Sequence, residues 1–282
     1  MEDSQGGGMN WQNIRVRGGA VTRRELREDG VSDRALTAAV EEGRLLRPRR
    51  GVYALPELSR EAQAALAAGG RLSCVSAARS YGLWGGQDGR LHLSVHPHAG
   101  RTADDAVRHW DAQGVYPELW RVSLADCLRS VVDCADAETA IAVLDTAIAA
   151  RAVTMVGLRG VFAHSPAHAR AVAACARPGS DSGVESILRQ RLTARGHVVE
   201  QQVAMPGVGR VDARVDGCLF VEIDGYAFHS GREAFERDRT RDTALALLGA
   251  RRLRIPARDV LADADGVVAT IEAVLATEEI RA

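Results

Sequence analysis

The stretch 209–225 constrains this chain most: Gly-Arg-Val-Asp-Ala-Arg-Val-Asp-Gly-Cys-Leu-Phe-Val-Glu-Ile-Asp-Gly. Two β-branched runs meet at Asp216-Gly217, a dipeptide suited to the left-handed backbone of a tight hairpin turn. Strands bury apolar residues, so the carboxylates inside both runs need a reason. Residues i and i+2 of a strand share a face. Glu222 and Asp224 are therefore expected to project together, with Val221 and Ile223 facing the core, and Asp212 to join them across the hairpin. Converging carboxylates repel one another, and a hard cation such as Mg²⁺ (or Mn²⁺) relieves the repulsion. Such an ion polarises a phosphoryl oxygen and lowers the pKa of a bound water. The competing reading puts these acids on the solvated face of a two-sided sheet, and alternation alone does not separate the two.

The surroundings sharpen the hydrolytic reading. A helix over 184–196, apolar at Val184, Ile187, Leu188 and Leu192, carries Glu185. Strands are predicted over 198–204, 209–216 and 218–225. Gly225 lets the chain turn sharply away, and His229 lies just beyond. A helix over 232–248 carries Asp238, Arg239, Arg241 and Asp242, followed by a short strand over 252–255 and a helix over 267–276. The order αβββαβα predicts an α/β sandwich with a mixed sheet. At 282 residues the chain has room for two or three modest domains.

The front half reads differently. Residues 1–10, with a Gly-Gly-Gly run, form a disordered tail. Thr22-Arg-Arg-Glu25 is a capping box that opens a short helix ending at Gly30. A second helix has Ser32 as its N-cap and Gly43 as its stop, with Leu36, Ala39 and Val40 on its apolar side. Residues 44–54 form a hairpin with Arg47, Arg49 and Arg50 near its turn. Two short helices followed by a basic hairpin predict a winged helix-turn-helix over 11–58. In it, Asp33, Arg34 and Thr37 on the outward side of the second helix would read base edges of DNA, and the three hairpin arginines would hold phosphates. A small helical domain with a solvated basic loop is the alternative.

The segment 59–175 is a mixed α/β middle domain: a helix from Ser59, a helical run over 72–81, a strand over 91–95 and an Ala-rich helical stretch over 123–150. Residues 176–183, Ala-Arg-Pro-Gly-Ser-Asp-Ser-Gly, have the composition of a linker, leaving 184–282 as the last domain. His92, His96, His98 and His109 fall in the middle region. The H-x-x-x-H-x-H spacing of His92, His96 and His98 suggests a metal reading, but no acidic or Cys partners cluster with it, and exposed strand-end histidines are the alternative. The five cysteines form no C-x-x-C pair, which argues against a zinc ribbon or a disulfide framework and for buried free thiols. The net charge of −1 gives no global basic field, so any nucleic-acid contact must come from local patches. All 36 basic residues are Arg, so no catalytic step can use a lysine. No apolar run reaches the roughly 20 residues of a spanning helix, and the first residues lack the basic start and apolar run of a secretory signal. A cytoplasmic location is expected.

From Glu185 to Ile255 the chain resembles the very-short-patch-repair (Vsr)-like endonucleases. More closely, it resembles a bacterial family of uncharacterised proteins that share that domain within the PD-(D/E)XK superfamily. The matching residues are Glu185, Arg-Val-Asp212-Ala, Val-Glu222-Ile-Asp224-Gly with Phe-His229, then Asp238-Arg with Arg241, Gly249 and Arg254-Ile. The resemblance implies a restriction-endonuclease-like fold over 184–282. It makes Asp212 and Glu222 the metal-binding acids, the Ile223 carbonyl a third ligand of Mg²⁺ (or Mn²⁺), and Glu185 an assisting acid. Asp224 stands where the superfamily often has lysine, so His229 is the implied proton acceptor, with a pKa suited to that role. At the front, 22–30 and 44–54 resemble the winged helix of AbiEi-type antitoxins. Residues 76–84 and the long helix to Ala150 resemble the domain that follows it. Those antitoxins repress their own operons, and this resemblance implies the same role here.

Three functions stay open. The first is a metal-dependent DNA endonuclease or nickase with an N-terminal DNA-binding module, in a defence or mobile-element setting. The second is a DNA-binding transcriptional regulator in which the nuclease fold is idle. The third is a toxin–antitoxin component acting through protein contacts. The partners implied are DNA, a second copy of the chain, and a toxin–antitoxin or defence-system protein, with no membrane.

Overall fold

Asp136 interrupts the Ala-rich stretch 123–150. One helix stops at Cys134, and the Asp136 carboxylate accepts from Thr139 N at 2.9 Å to cap the next. Two helices therefore stand where the composition predicted one. In the computed structural model, which describes residues 9–96, 105–110, 116, 118–205, 209–225 and 251–277, the chain divides at this break into two units, Met1–Cys134 and Ala135–Ala282.

The first unit opens with α1 (Trp11–Val16), β1 (Ala20–Thr22), α2 (Arg23–Glu28), α3 (Asp33–Glu41), β2 (Leu46–Arg49) and β3 (Val52–Ala54). Residues 1–8 of the predicted tail lie outside the described residues, and Asn10 belongs to the fold, capping α1 through Gln12 N and Asn13 N. Both halves of the Thr22–Glu25 capping box form at α2. Ser32 caps α3, and Gly43 takes a left-handed backbone one residue past its C-cap. The strands order as β1-β3-β2, all antiparallel, so β2 and β3 form the wing and β1 braces it. Ile14, Val21, Leu26, Val31, Leu36, Ala39, Leu45, Tyr53 and Leu55 close one core beneath the helices. Burying each Leu or Ile there contributes roughly 1.5–3 kcal/mol. The sequence left α1 and β1 unread; both are needed to close this core.

The rest of the first unit contains α4 (Arg60–Ala67), β4 (Arg71–Leu72), α5 (Cys74–Ser80), β5 (His92–Ser94), β6 (Val107–His109) and α6 (Leu124–Cys134). Its sheet orders as β4-β5-β6, with β4 antiparallel and β6 parallel to β5. Leu72, Val75, Leu93, Leu128 and Val131 are buried between sheet and helices.

The second unit begins with α7 (Ala137–Ala149), α8 (Met155–Phe162), α9 (Ala167–Ala174) and α10 (Gly183–Ala194). It continues with β7 (Val199–Met205), β8 (Gly209–Val215), β9 (Leu219–Asp224), β10 (Arg251–Pro256), α11 (Ala257–Ala262) and α12 (Ala264–Ala276). The sheet order is β10-β9-β8-β7: an antiparallel meander with β10 added parallel to β9, hence a mixed sheet. Asp216 and Gly217 both adopt positive φ, 49° and 72°, and turn β8 into β9. The terminal helix predicted over 267–276 is preceded by α11, and the helix predicted over 232–248 lies outside the described residues.

The stretch 176–183 is not a free linker. Ala176 and Ser180 are fully buried. The cause is Asp145 on α7, itself fully buried. Its carboxylate accepts from Arg177 N at 2.7 Å, from Ser186 Oγ at 2.6 Å and from Arg189 Nη2 at 2.8 Å. One acid thus ties α7, the 176–183 segment and α10 together within the second unit.

Candidate functional site

In the winged helix, the basic and hydroxylated positions proposed for DNA all stay on the surface. Arg34 and Thr37 are exposed on α3, and Arg47, Arg49 and Arg50 are exposed on β2 and its turn. Asp33, at the start of the same helix, turns to α2 instead. It accepts from Arg23 Nε at 3.1 Å and from Arg27 Nη2 at 2.9 Å. These hydrogen bonds, Arg23 first, hold its carboxyl at about 2. Asp33 therefore clamps α2 to α3 and neutralises two guanidinium groups beside the exposed Arg34.

The carboxylates of the second unit are arranged differently from the expectation. The β8–β9 ladder runs from Val215↔Leu219 to Ala213↔Val221 and stops there. The β7–β8 ladder lacks a pair where Gln202 and Asp212 stand, and Gln202 has φ 53°. Regular alternation thus fails at Asp212. Its Oδ2 accepts the Ile223 N–H at 2.8 Å, and it lines a cleft with Glu185 and Ile223 between α10 and the sheet. Glu185 Oε2 accepts from Gln202 Nε2 and from Asp181 N, both at 2.9 Å. Burial raises the Glu185 carboxyl above its ordinary value, and the nearby Asp212 charge adds to the rise.

Glu222 goes elsewhere. It is aligned with Arg254 across the parallel ladder, and its Oε2 meets Arg254 Nε at 3.1 Å and Arg252 Nε at 3.2 Å. Only 6% of its side chain is exposed. Asp224 is exposed at the end of β9. Among the described residues, Asp212, Glu222, Asp224 and Glu185 supply no group of three acids close enough to share a metal ion. Two arginines from β10 meet Glu222, and the Ile223 N–H donates to Asp212. His229, Asp238, Arg239, Arg241 and Asp242 lie outside the described residues.

A different cluster gathers in the first unit. One ligand atom from each of Cys74, His92, His109 and Cys134 lies within 4.8 Å of all the others. His92 Nδ1 stands 3.2 Å from His109 Nε2 and 3.8 Å from Cys134 Sγ. His92 is buried and His109 half-buried, so the reading of these two as exposed strand-end residues is corrected; His96 is exposed and His98 lies outside the described residues. Cys74 and Cys127 are buried as expected of free thiols, whereas Cys134 and Cys175 are exposed. The four residues are scattered from 74 to 134 with no two in a short motif, so no spacing rule could have joined them. The one available signal was a pair of strand histidines between two helix-terminal cysteines.

Among the described residues, no helix is long and apolar enough to cross a membrane. No curated protein matches the chain. A family model described as a transcriptional regulator, AbiEi antitoxin, matches residues 13–56. That match starts inside α1 and ends just past β3, so the part of this chain similar to AbiEi antitoxin regulators is its winged helix.

Proposed function

We propose that this chain is a DNA-binding regulator of the AbiEi antitoxin type that docks through α3 and the β2–β3 wing. One observation carries the reading. The segment similar to that regulator family folds as a winged helix whose polar positions Arg34, Thr37, Arg47, Arg49 and Arg50 all face solvent. A recognition helix reads base edges in the major groove, while wing arginines neutralise phosphates and release counterions. Replacing Arg47, Arg49 and Arg50 together with Ala should weaken binding across many sequences. The slope of log affinity against log salt should fall by up to about 2.7, at about 0.9 per lost phosphate contact. Arg34→Ala should instead relax sequence preference. Titrations at several salt concentrations that return the wild-type slope for the triple variant would remove the wing from the DNA contact. A homodimer on a two-fold operator, and a toxin or defence-system partner, fit the same reading.

A second reading, a metal-dependent DNA endonuclease or nickase, is favoured by the mixed sheet β7–β10 and by the Asp212–Glu185 cleft beneath α10. Against it, Glu222 Oε2 is held by Arg252 and Arg254. Asp212, Glu222, the Ile223 carbonyl and Asp224 remain the residues this reading would use, with His229 outside the described residues. Supercoiled plasmid incubated with Mg²⁺ or Mn²⁺ decides the matter. Nicking by the wild type that disappears in Asp212→Ala supports the nuclease. Plasmid left intact by the wild type ends it.

A further inference from the structure

We propose that Cys74, His92, His109 and Cys134 bind one Zn²⁺ ion as a closed structural site in the first unit. The donor set is two sulfurs and two imidazole nitrogens with no oxygen, the set that selects zinc among the common divalent ions. The geometry is near that of a zinc tetrahedron. Zn–N bonds of about 2.0–2.1 Å and Zn–S bonds of about 2.3 Å put neighbouring nitrogens about 3.3 Å apart and nitrogen and sulfur about 3.6 Å apart. The corresponding separations here are 3.2 Å between His92 Nδ1 and His109 Nε2, and 3.8 Å between His92 Nδ1 and Cys134 Sγ.

The backbone aims these groups at one point. Cys74 adopts φ 49°, a conformation that costs a residue with a Cβ roughly 1–2 kcal/mol, at the first position of α5. His92 and His109 come from neighbouring parallel strands, and Cys134 ends α6. Strain at a donor residue is the kind found where the surroundings over-determine a functional geometry. Support also stands behind the donors. Asp88 Oδ2 lies 3.2 Å from His92 Nε2, so the Nε2–H donates to the carboxylate and the Nδ1 lone pair is left facing the cluster. A carboxylate behind a ligating imidazole is the usual outer partner of a zinc site.

The charge balances. On binding, each thiol releases its proton to solvent and forms an S–Zn bond, while both imidazoles bind neutral. Two thiolates and one Zn²⁺ sum to zero, which suits a cluster whose Cys74 and His92 are buried. All four positions are filled by protein, so none is open to a substrate and the role is structural. The ion would tie the start of α5, both strands and the end of α6 together.

The test uses the full chain, expressed with zinc and purified under reducing conditions. Elemental analysis after dialysis should find about one zinc per chain, and Cys175→Ser should keep it. Cys134→Ser, at an exposed ligand, should lose it while far-ultraviolet circular dichroism stays unchanged. Asp88→Asn should weaken zinc affinity about 10- to 100-fold against a competing chelator. Cobalt(II) added to the zinc-free chain should give tetrahedral d–d bands with a thiolate charge-transfer band. If Cys134→Ser does not fold, the wild type still answers: zinc should slow alkylation of Cys134 and leave Cys175 unaffected. The proposal fails if the reduced wild type holds no more zinc than Cys134→Ser and gives no cobalt bands. It also fails if zinc does not protect Cys134, or if the purified chain carries a Cys74–Cys134 disulfide and binds no zinc after reduction.

Discussion

The arginines of the wing and the acids of β8 and β9 were singled out by the same kind of reasoning, yet the fold treats them in opposite ways. Arg47, Arg49 and Arg50 sit on the edge strand β2 and its turn, and they remain exposed. Glu222 sits inside a four-stranded sheet, and two arginines some thirty residues later in the chain take up its charge. Asp212 spends one oxygen on a backbone N–H of the neighbouring strand. A charged residue at a local turn keeps the chemistry its sequence suggests. One inside a sheet belongs first to whatever strand arrives beside it.

The contrast breaks first at Asp145. If the acids of the second unit are structural, Asp145→Ala should destabilise that unit by about 3–5 kcal/mol, because it leaves the partly buried Arg189 without its counter-charge. Chemical denaturation with an unchanged midpoint would show that the 176–183 segment is held by something else. Glu222→Gln tests the same idea closer to the sheet. Loss of the charge facing Arg252 and Arg254 should cost about 1–3 kcal/mol. A gain in stability would mean instead that Glu222 is a repelled acid of an empty cation site.

A smaller effect depends on pH. His197 Nδ1 lies 2.7 Å from Asp216, and its Nε2 lies 3.5 Å from Glu272. The hydrogen bond to Asp216, ahead of the other contacts, raises His197 above 6.5, and the same bond lowers Asp216 below 3.8. The raised histidine contributes stability that is fully present below 6.5 and is lost as pH rises through its folded value. The lowered aspartate contributes stability present above 3.8 and lost as pH falls through its folded value. The thermal midpoint of the second unit should therefore decline on the alkaline side of 6.5, and His197→Ala should flatten that decline. Equal slopes in both proteins would place the pH dependence elsewhere. The smallest effect is expected at the wing: the triple Ala variant of Arg47, Arg49 and Arg50 should unfold within about 0.5 kcal/mol of the wild type, as surface changes do. A larger loss would mean that those arginines brace the fold rather than meet DNA.

Much of the architecture was legible because its signals are local. Thr22 with Glu25 and Ser32 with Gly43 bounded α2 and α3, and Asp216-Gly217 set the β8–β9 turn. The parts that escaped reading depend on distant residues. Asp136 splits an Ala-rich run by capping its second half. The segment 176–183 looks like a linker until Asp145 is placed beside it. Strand parity at Asp212 assumes an unbroken ladder, and the left-handed Gln202 stands where the β7–β8 ladder breaks. The Cys and His residues of the first unit meet only through the parallel pairing of β5 and β6 and the ends of two helices.

The parallel pairing of β9 with β10 bears on the order in which the second sheet assembles. β7, β8 and β9 form a meander of short connections, whereas β10 follows only after residues 225–250. Contacts between near neighbours in sequence form sooner than those that must close a long loop. During that interval β9 is an open edge, lined by Leu219, Phe220, Val221 and Ile223, of the kind on which chains add to one another. Glu222 lies in the middle of that run, and a charge buried in a would-be intermolecular sheet is a strong deterrent. The carboxylate later matched by Arg252 and Arg254 would first keep nascent copies of the chain apart.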